Sequence, residues 1–229
     1  MDHGVIRIIR AQLAQAATGA ANLKEGTRLA TPVVRAISRD AFAQVRQYDK
    51  ARIFELCEML LASRSANERT IAFDWAYRCR KSYEEGDFAR FEGWLRDYVA
   101  DWGGCDDFCT HAFGRFIYQY PVLSSQALSW TASSNRWFRR AAAVVLIYGI
   151  RRDAFFDTAF ETADALLTDG DDMVQKGYGW MLKEVSNRAP LRVFDYVMAH
   201  KQTMPRTALR YAIEKLEPSL RRQAMRRDG

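Results

Sequence analysis

Apolar residues recur along most of the chain with the spacing of amphipathic helices, and short polar turns separate these stretches. The clearest example follows the i, i+3, i+4, i+7 pattern of one helical face and consists of Cys105, Phe108, Cys109, Ala112, Phe113, Phe116, Ile117 and Tyr120. Strand-like alternation is not seen, and no run is rich in Val, Ile and Thr. The pattern therefore predicts an all-α protein.

The predicted helices repeat in pairs. Five segments share a polar start, a basic residue and a long apolar stripe, and they begin at Asn67, Cys105, Asn135, Asp172 and Pro205. Shorter amphipathic stretches lie between them, at Asp87–Trp102, Tyr120–Thr131, Asp157–Leu167 and Pro190–His200. A helix pair that recurs about every 30 to 40 residues is typical of an α-solenoid. We expect a right-handed α-solenoid of HEAT-like helix pairs, in which the second helices line a concave face.

No change in composition marks a domain boundary, so we expect a single domain over residues 1–229. Its N-terminal part, about 1–63, contains three predicted helices, at Val5–Thr18, Pro32–Arg46 and Lys50–Ser63. A polar, glycine-containing link at 22–27 follows the first of them. The repeats cover about 67–216, and a basic tail covers 217–229.

One predicted corner between two helices combines an aromatic ring with two carboxylates. The helix over Asp87–Trp102 is expected to end at Gly103 and Gly104, because a glycine just after a helix adopts the left-handed conformation at little cost. The next helix would begin at Cys105, with Asp106 and Asp107 in its first turn. Either aspartate could simply cap that helix, and Trp102 could be a core residue.

Charge favours a polyanionic partner. The chain has 34 basic and 28 acidic residues, a formal net charge of +6 and a pI near 9.2.

Apolar runs such as 141–147 are far shorter than the roughly 18 residues that span a bilayer, and the first residues do not resemble a signal peptide. We expect a monomer located in the cytoplasm, with no membrane partner.

The residue pattern excludes several enzyme classes. No Ser-His-Asp order, glycine-rich phosphate loop, HExxH or EF-hand pattern is present. Four cysteines are too few for a disulfide framework, and Cys105 and Cys109 share a core stripe. We therefore interpret the cysteines as buried thiols and expect neither a metal nor a cofactor.

Three segments resemble, in order and spacing, the AlkD-like DNA alkylation repair glycosylases, a family of HEAT-like repeat DNA glycosylases. They are Trp102-x3-Asp106, Asn135–Ala142 and Val174–Glu184. The resemblance extends over most of the chain, from about Thr31 to Leu216. It implies an enzyme that removes positively charged alkylated purines, such as 7-methylguanine and 3-methyladenine, from double-stranded DNA. We then expect the protein to be associated with the nucleoid when it acts on DNA.

The resemblance also implies roles for individual residues. The catalytic carboxylate falls on Asp106, the flanking aromatic platforms on Trp102 and Trp180, and a contact to the DNA backbone on Arg140. Asp107 is a second carboxylate, which leaves the assignment between the two aspartates open. Further candidates for phosphate contacts are Arg139, Lys176, Lys183 and Arg206.

Two observations on the residues themselves are compatible with that chemistry. The helix predicted from Asp172 has a core stripe of Val174, Gly177, Tyr178, Met181, Leu182 and Val185. Trp180 lies away from this stripe, on the same face as Lys176 and Lys183, which suggests a polyanion contact. A cationic purine is already a good leaving group, so one ionised carboxylate can stabilise the oxocarbenium-like sugar and assist water.

Two other functions are alternatives to a glycosylase. One is a catalytically silent protein that binds distorted or branched DNA, and the other is a HEAT-type protein-interaction scaffold.

Overall fold

The structure is a computed structural model that describes residues 3–19 and 28–226. Within these ranges the chain forms α-helices, short 3-10 helices and loops, and contains no strand. The all-α prediction is therefore confirmed. The predicted link at 22–27 lies outside the described residues. No helix in the described part of the chain is long and apolar enough to cross a membrane.

The chain divides into two compact units, which meet in sequence at Tyr98 and Val99. The expectation of a single domain stays a prediction. The helices of the first unit are α1 His3–Gly19, α2 Thr31–Phe42, α3 Lys50–Leu61, α4 Ala66–Arg78 and α5 Phe88–Tyr98. Those of the second unit are α6 Trp102–Thr110, α7 Ala112–Gln119, α8 Ser124–Ser129, α9 Arg136–Val144, α10 Ile147–Ile150, α11 Phe156–Ala165, α12 Asp172–Ser186, α13 Pro190–His200, α14 Arg206–Ala212 and α15 Pro218–Met225.

Aromatic packing holds the first unit together. The fully buried ring of Phe54 on α3 lies 5.7 Å from the Phe91 ring and 5.4 Å from the Trp94 ring, both on α5, measured between centroids. Helix α4 packs against α2 and α3, and the indole N–H of its Trp75 donates to the carbonyl oxygen of Ser38 at 3.2 Å. Large rings supply much of the apolar burial in a unit of this size.

Helix α12 is central to the second unit, because it packs against both α9 and α14. Its predicted core stripe is confirmed, since the stripe is buried at Val174, Gly177, Tyr178, Met181, Leu182 and Val185. The repeat rhythm also corresponds to real elements. The predicted starts of the five long segments lie within three residues of the first residues of α4, α6, α9, α12 and α14. The segment predicted as a basic tail contains α15, which packs against α13.

The predicted corner at Gly103 and Gly104 is wrong in detail. Helix α5 ends at Tyr98, and Asp101 is the N-cap of α6, with its Oδ1 accepting from the Gly104 amide at 2.8 Å. Gly103 and Gly104 therefore lie inside the first turn of α6. Since a side-chain acceptor placed three residues before an amide is a strong start signal, the helix begins before the glycines. Asp106 and Asp107 lie beyond the cap, so the capping interpretation is wrong for both.

The apolar stripe from Cys105 to Tyr120, predicted as one helix, is divided between α6 and α7. The break falls at His111, whose backbone angles are φ −121° and ψ −91°. The two helices lie so close that a Cβ on Gly114 would be 2.2 Å from the carbonyl oxygen of Cys109. Only glycine fits at position 114, and apolar periodicity does not reveal this bend.

Replacing Asp101 with Ala is expected to lower the free energy of unfolding by about 1 kcal/mol, because the Gly104 amide loses its side-chain acceptor. Urea denaturation measures the loss. Asp101→Asn keeps an acceptor oxygen and should change stability by only a few tenths of a kcal/mol. If both variants lost the same free energy of unfolding, the charge of Asp101 would matter and the hydrogen bond to the Gly104 amide would not.

Candidate active site

A cavity of about 330 Å³ opens in the second unit, between residues of α6, α9, α12 and α14. Six of the eight residues predicted for the site line it, namely Trp102, Asp106, Arg140, Lys176, Trp180 and Lys183. These six residues come from three helices, α6, α9 and α12, and a joint function requires that they meet in one cavity. Their individual roles stay predictions. Asp107 does not belong to this lining; its Oδ1 lies 3.4 Å from Nδ1 of His111.

Arg140 and Asp106 form a bidentate ion pair at the base of the cavity. Arg140 Nε donates to Asp106 Oδ1, and Arg140 Nη2 donates to Asp106 Oδ2, each at 2.9 Å. Nη1 of the same guanidinium donates to the carbonyl oxygen of Met173. The Arg140 side chain is only 6% exposed, whereas that of Asp106 is 19% exposed. Two parallel charge-assisted bonds fix the plane of the carboxylate in a way that a single bond would not.

Burial and pairing act on Arg140 in opposite directions. Burial disfavours the charged guanidinium, but the hydrogen bonds and charge of Asp106 outweigh it, and the pKa of Arg140 is raised. The arginine therefore stays charged although it lies almost wholly inside the protein. A buried guanidinium that kept its charge without a partner would be costly.

Space for Arg140 comes from Gly177 on α12. A Cβ at position 177 would lie 3.0 Å from Arg140 Cγ and 3.3 Å from its Nη1. The arginine stem therefore passes directly over the glycine. The absence of a side chain at 177 is what lets α9 and α12 approach while a large cationic side chain lies between them.

The two tryptophans of the cavity differ in how firmly they are held. Trp102 is the first residue of α6 and is 57% exposed, which is unusual for so large a ring. Trp180 is partly buried on α12, and its Nε1 donates to Glu184 Oε1 at 2.9 Å. Both rings are accessible from the cavity that contains the Asp106 carboxylate.

The two lysines of the cavity have acidic partners at its edge. Lys176 Nζ lies 2.5 Å from Asp172 Oδ2, and Lys183 Nζ lies 3.2 Å from Glu214 Oε2. The hydrogen bond with Asp172 raises the pKa of Lys176, so this lysine is cationic at neutral pH. Such exposed pairs are weak and exchange readily, which leaves both ammonium groups able to contact an anion.

Arg139 and Arg206 do not line the cavity. Arg139 Nε donates to Asp169 Oδ2 at 2.6 Å, and its Nη1 donates to the Ser133 carbonyl at 2.9 Å. Arg206 contacts the carbonyl oxygen of Met225 at 3.3 Å. Since neighbouring helical residues point about 100° apart, only one of the two adjacent arginines on α9 reaches Asp106. DNA contacts by Arg139 and Arg206 stay predictions.

Sequence reasoning missed Met173 and Tyr211, which complete the lining of the cavity. Tyr211 has a detectable signal, because the buried stripe of α14 is Ala208, Leu209 and Ala212, and the tyrosine lies off that stripe. The same argument identified Trp180 on α12. Met173 contributes its backbone carbonyl to Arg140, and no side-chain pattern marks a contact of that kind.

The interpretation of the cysteines as buried thiols is confirmed at Cys57, Cys105 and Cys109, whereas Cys79 is partly exposed. Burial raises the pKa of Cys109 well above its ordinary value, so its thiol is protonated. Among the residues that the structure describes, no group of three or more His, Cys, Asp or Glu side chains is arranged to hold a metal ion.

Comparison with known proteins agrees with the fold. The family model described as DNA alkylation repair enzyme matches residues 11–216, which is most of the chain. The chain therefore belongs to the DNA alkylation repair enzyme family. No curated protein matches it significantly. A solved structure, titled as a predicted DNA alkylation repair enzyme from Enterococcus faecalis, matches with a TM-score of 0.74 at 17% identity, over 90% of this chain and 96% of that one. At this identity the likeness shows a shared fold.

Gly177→Ala is expected to raise the free energy of unfolding by less than an ordinary glycine-to-alanine change within a helix does. Alanine favours a helix over glycine by about 1 kcal/mol, but a Cβ at 177 must displace Arg140 by a few tenths of an ångström. Gly93→Ala in α5 is the matched control, because nothing lies within 4 Å of a Cβ at that position. Urea denaturation should show a gain for Gly93→Ala and none for Gly177→Ala. Equal gains would show that Arg140 moves aside without cost.

Proposed function

We propose that this protein is a monofunctional DNA glycosylase that excises positively charged N-alkylated purines, such as 7-methylguanine and 3-methyladenine, from duplex DNA. The observation that carries the proposal is the cavity in which the Asp106 carboxylate, fixed by Arg140, shares one space with Trp102 and Trp180. Membership of the alkylation repair family supports the class of substrate. Action as a monomer on DNA in the cytoplasm belongs to the same proposal.

The reaction hydrolyses the bond between C1′ of the sugar and the purine nitrogen. The electron pair of that bond moves onto the purine, which neutralises the positive charge that alkylation placed there. The sugar becomes an oxocarbenium-like cation, and water then adds to C1′ and releases a proton. Because the purine leaves as a neutral base, no general acid has to protonate it. The protein has to stabilise the developing positive sugar.

Asp106 suits an electrostatic role. Both of its oxygens accept hydrogen bonds from Arg140, so the carboxylate is held in place before DNA arrives and does not have to reorganise during the reaction. Its side chain is still partly exposed to the cavity. A negative group fixed close to C1′ of the lesion favours the transition state over the ground state, since the positive charge on the sugar is larger there.

The tryptophans suit recognition of the damaged base. An alkylated purine carries positive charge, and the π face of an indole attracts a cation by about 0.5 to 2 kcal/mol. Trp102 is largely exposed at the edge of the cavity. Tryptophan is enriched at binding interfaces, because its large ring is apolar and its N–H group is polar. Stacking on a tryptophan also contributes affinity for any base, damaged or not.

Phosphate contacts would add affinity without sequence preference. Arg140 uses three of its five N–H groups on Asp106 and Met173, so two remain for a phosphate oxygen. Lys176 and Lys183 line the same cavity. The net charge of +6 favours association with DNA as a whole.

The proposal is tested by incubating the protein with methylated duplex DNA and measuring released purines. Asp106→Asn is expected to lower excision of 7-methylguanine on the order of 100-fold or more, because the negative charge is lost. Asparagine keeps the size of the side chain and one acceptor oxygen for Arg140, but its NH2 group faces the second guanidinium donor, so the free energy of unfolding should fall by about 3 kcal/mol. Excision is therefore compared under conditions in which circular dichroism shows both proteins folded, and duplex binding should then be nearly unchanged.

Asp107→Asn is the matched control, because Asp107 is the neighbouring carboxylate and does not line the cavity. It should excise nearly as well as the wild type. A severe loss at Asp107 alone would move the catalytic assignment by one residue. Binding of methylated duplex without any release would instead favour a catalytically silent DNA-binding protein.

Arg140→Ala is expected to weaken binding to damaged and undamaged duplexes alike and to reduce the salt dependence of binding by about one phosphate contact. Excision should fall further than binding, because the Asp106 carboxylate loses its partner. The exposed Arg192, paired with Asp157 away from the cavity, provides the control Arg192→Ala. Binding measured across a salt series separates the two variants. Unchanged binding by Arg140→Ala at every salt concentration would refute the phosphate contact.

A further inference from the structure

Trp180 belongs to a network that continues behind the cavity. Its Nε1 donates to Glu184 Oε1 at 2.9 Å, one turn further along α12. The same carboxylate accepts two bonds from Arg151, from Nη2 to Oε1 at 2.7 Å and from Nε to Oε2 at 3.2 Å. Arg151 follows the last residue of α10. A residue just after another helix therefore fixes the carboxylate that holds the indole.

The carboxylate of Glu184 is well shielded and stays charged. Its side chain is only 13% exposed. Burial alone would raise its pKa, but the hydrogen bonds from Arg151 and Trp180 outweigh this effect, and the pKa of Glu184 is lowered. The bonds of this carboxylate are thus charge-assisted, which makes them shorter and stronger than neutral ones.

We propose that Arg151 and Glu184 form a positioning pair for Trp180, which sets the plane of the indole ring towards the cationic base in the cavity. The inference rests on the proposed glycosylase function, because it assigns the pair a part in excision. Neither residue lines the cavity, so both act through the tryptophan and are not catalytic residues.

The first effect of the pair is to restrict the ring. A partly exposed tryptophan on a helix can exchange between side-chain conformers, and each exchange would turn its face away from the substrate. The bond to Glu184 selects one conformer before DNA binds. Binding then does not have to order the ring, and a group held in the productive geometry can change rates by one to two orders of magnitude.

The second effect is electrostatic. A carboxylate that accepts from the indole N–H increases the electron density of the ring, and a richer π face attracts a cation more strongly. Arg151 balances the charge of Glu184, so this carboxylate does not compete with Asp106 for the cationic base. The Arg151 guanidinium carbon also lies 6.0 Å from the centroid of the Trp180 ring and approaches it from outside the cavity lining.

Trp102 provides a contrast within the same cavity. Among the residues that the structure describes, its side chain forms no hydrogen bond, and it is 57% exposed. The cavity therefore combines one ring that is fixed before binding with one that is free to adjust. We assign orientation of the base to Trp180 and adaptation to the bound duplex to Trp102.

The test is a double-mutant cycle on single-turnover excision of 7-methylguanine. Glu184→Leu should lower the rate of excision about 10-fold and leave the dissociation constant for undamaged duplex within about twofold. Glu184→Gln keeps an acceptor for the indole and should recover most of the rate. In the background of Trp180→Phe, which lacks the indole N–H, Glu184→Leu should have no further effect. Glu92→Leu, which removes an exposed helix pair with Arg96, controls for the loss of a surface carboxylate.

A second readout does not depend on activity. In protein labelled with nitrogen-15, the indole resonance of Trp180 is the one that disappears in Trp180→Phe. It should shift in Glu184→Leu and move towards the wild-type position in Glu184→Gln. Arg151→Met, at a half-exposed site that tolerates the change, should shift the Trp180 resonance in the same direction as Glu184→Leu does. It should slow excision less than Glu184→Leu does.

The double-mutant cycle and the Trp180 resonance each have a result that would overturn the positioning role. One is an equal loss of excision by Glu184→Leu with and without the Trp180→Phe change, because the loss would then not pass through the indole. The other is an unshifted Trp180 resonance in Glu184→Leu. If the wild type releases no purine from methylated duplex, the proposed glycosylase function fails. If the wild type is active and the Glu184 variants match it, only the positioning role fails.

Discussion

The ion pair between Asp106 on α6 and Arg140 on α9 is the interaction on which the site depends. Taking two charges out of water is costly, and only good geometry with further hydrogen bonds offsets that cost. Here both carboxylate oxygens are bonded at 2.9 Å, and the remaining guanidinium nitrogen reaches a backbone carbonyl of α12. Gly177 leaves room for the arginine stem between α9 and α12. Three helices therefore have to pack in one arrangement for the pair to form, and that arrangement also brings Trp180 into the cavity.

The side chains of the cavity form two sets, which differ in how firmly hydrogen bonds and ion pairs hold them. The buried guanidinium of Arg140 holds the carboxylate of Asp106, and the shielded carboxylate of Glu184 holds the indole of Trp180. Groups at the edge are looser, because Trp102 is exposed and the lysines have only exposed acidic partners. The proposed glycosylase reaction would use this difference, since groups that act at the sugar have to be preorganised, whereas groups that meet the DNA backbone have to tolerate any sequence. Arginines bond to Asp106 in the first set and to Glu184, which holds Trp180, and the second set contains the lysines that line the cavity.

Much of the architecture was predictable from periodicity alone. The apolar stripes located the starts of the five long segments to within three residues, and all six residues of the predicted core stripe of α12 are buried. Six of the eight predicted site residues line the cavity, because a non-core aromatic residue between lysines and an ordered family motif are both local signals. The break before α6 was misplaced, since the glycines at 103 and 104 suggested a helix end and the side chain of Asp101 overrode them. The bend at His111 was missed for a related reason, because apolar spacing continues through it.

The sequence by itself determined which residues are helical, which faces are apolar and which chemical groups are available. Those properties depend on neighbours within about one turn, where side-chain spacing and local hydrogen bonds act. Only the tertiary structure decided which groups meet. Asp106 and Arg140 are 34 residues apart, Arg151 and Glu184 are 33 apart, and nothing local distinguishes Arg140, which enters the cavity, from Arg139, which bonds to Asp169. Such pairings follow from the packing of whole helices, in which a missing side chain such as that of Gly177 matters as much as the charges.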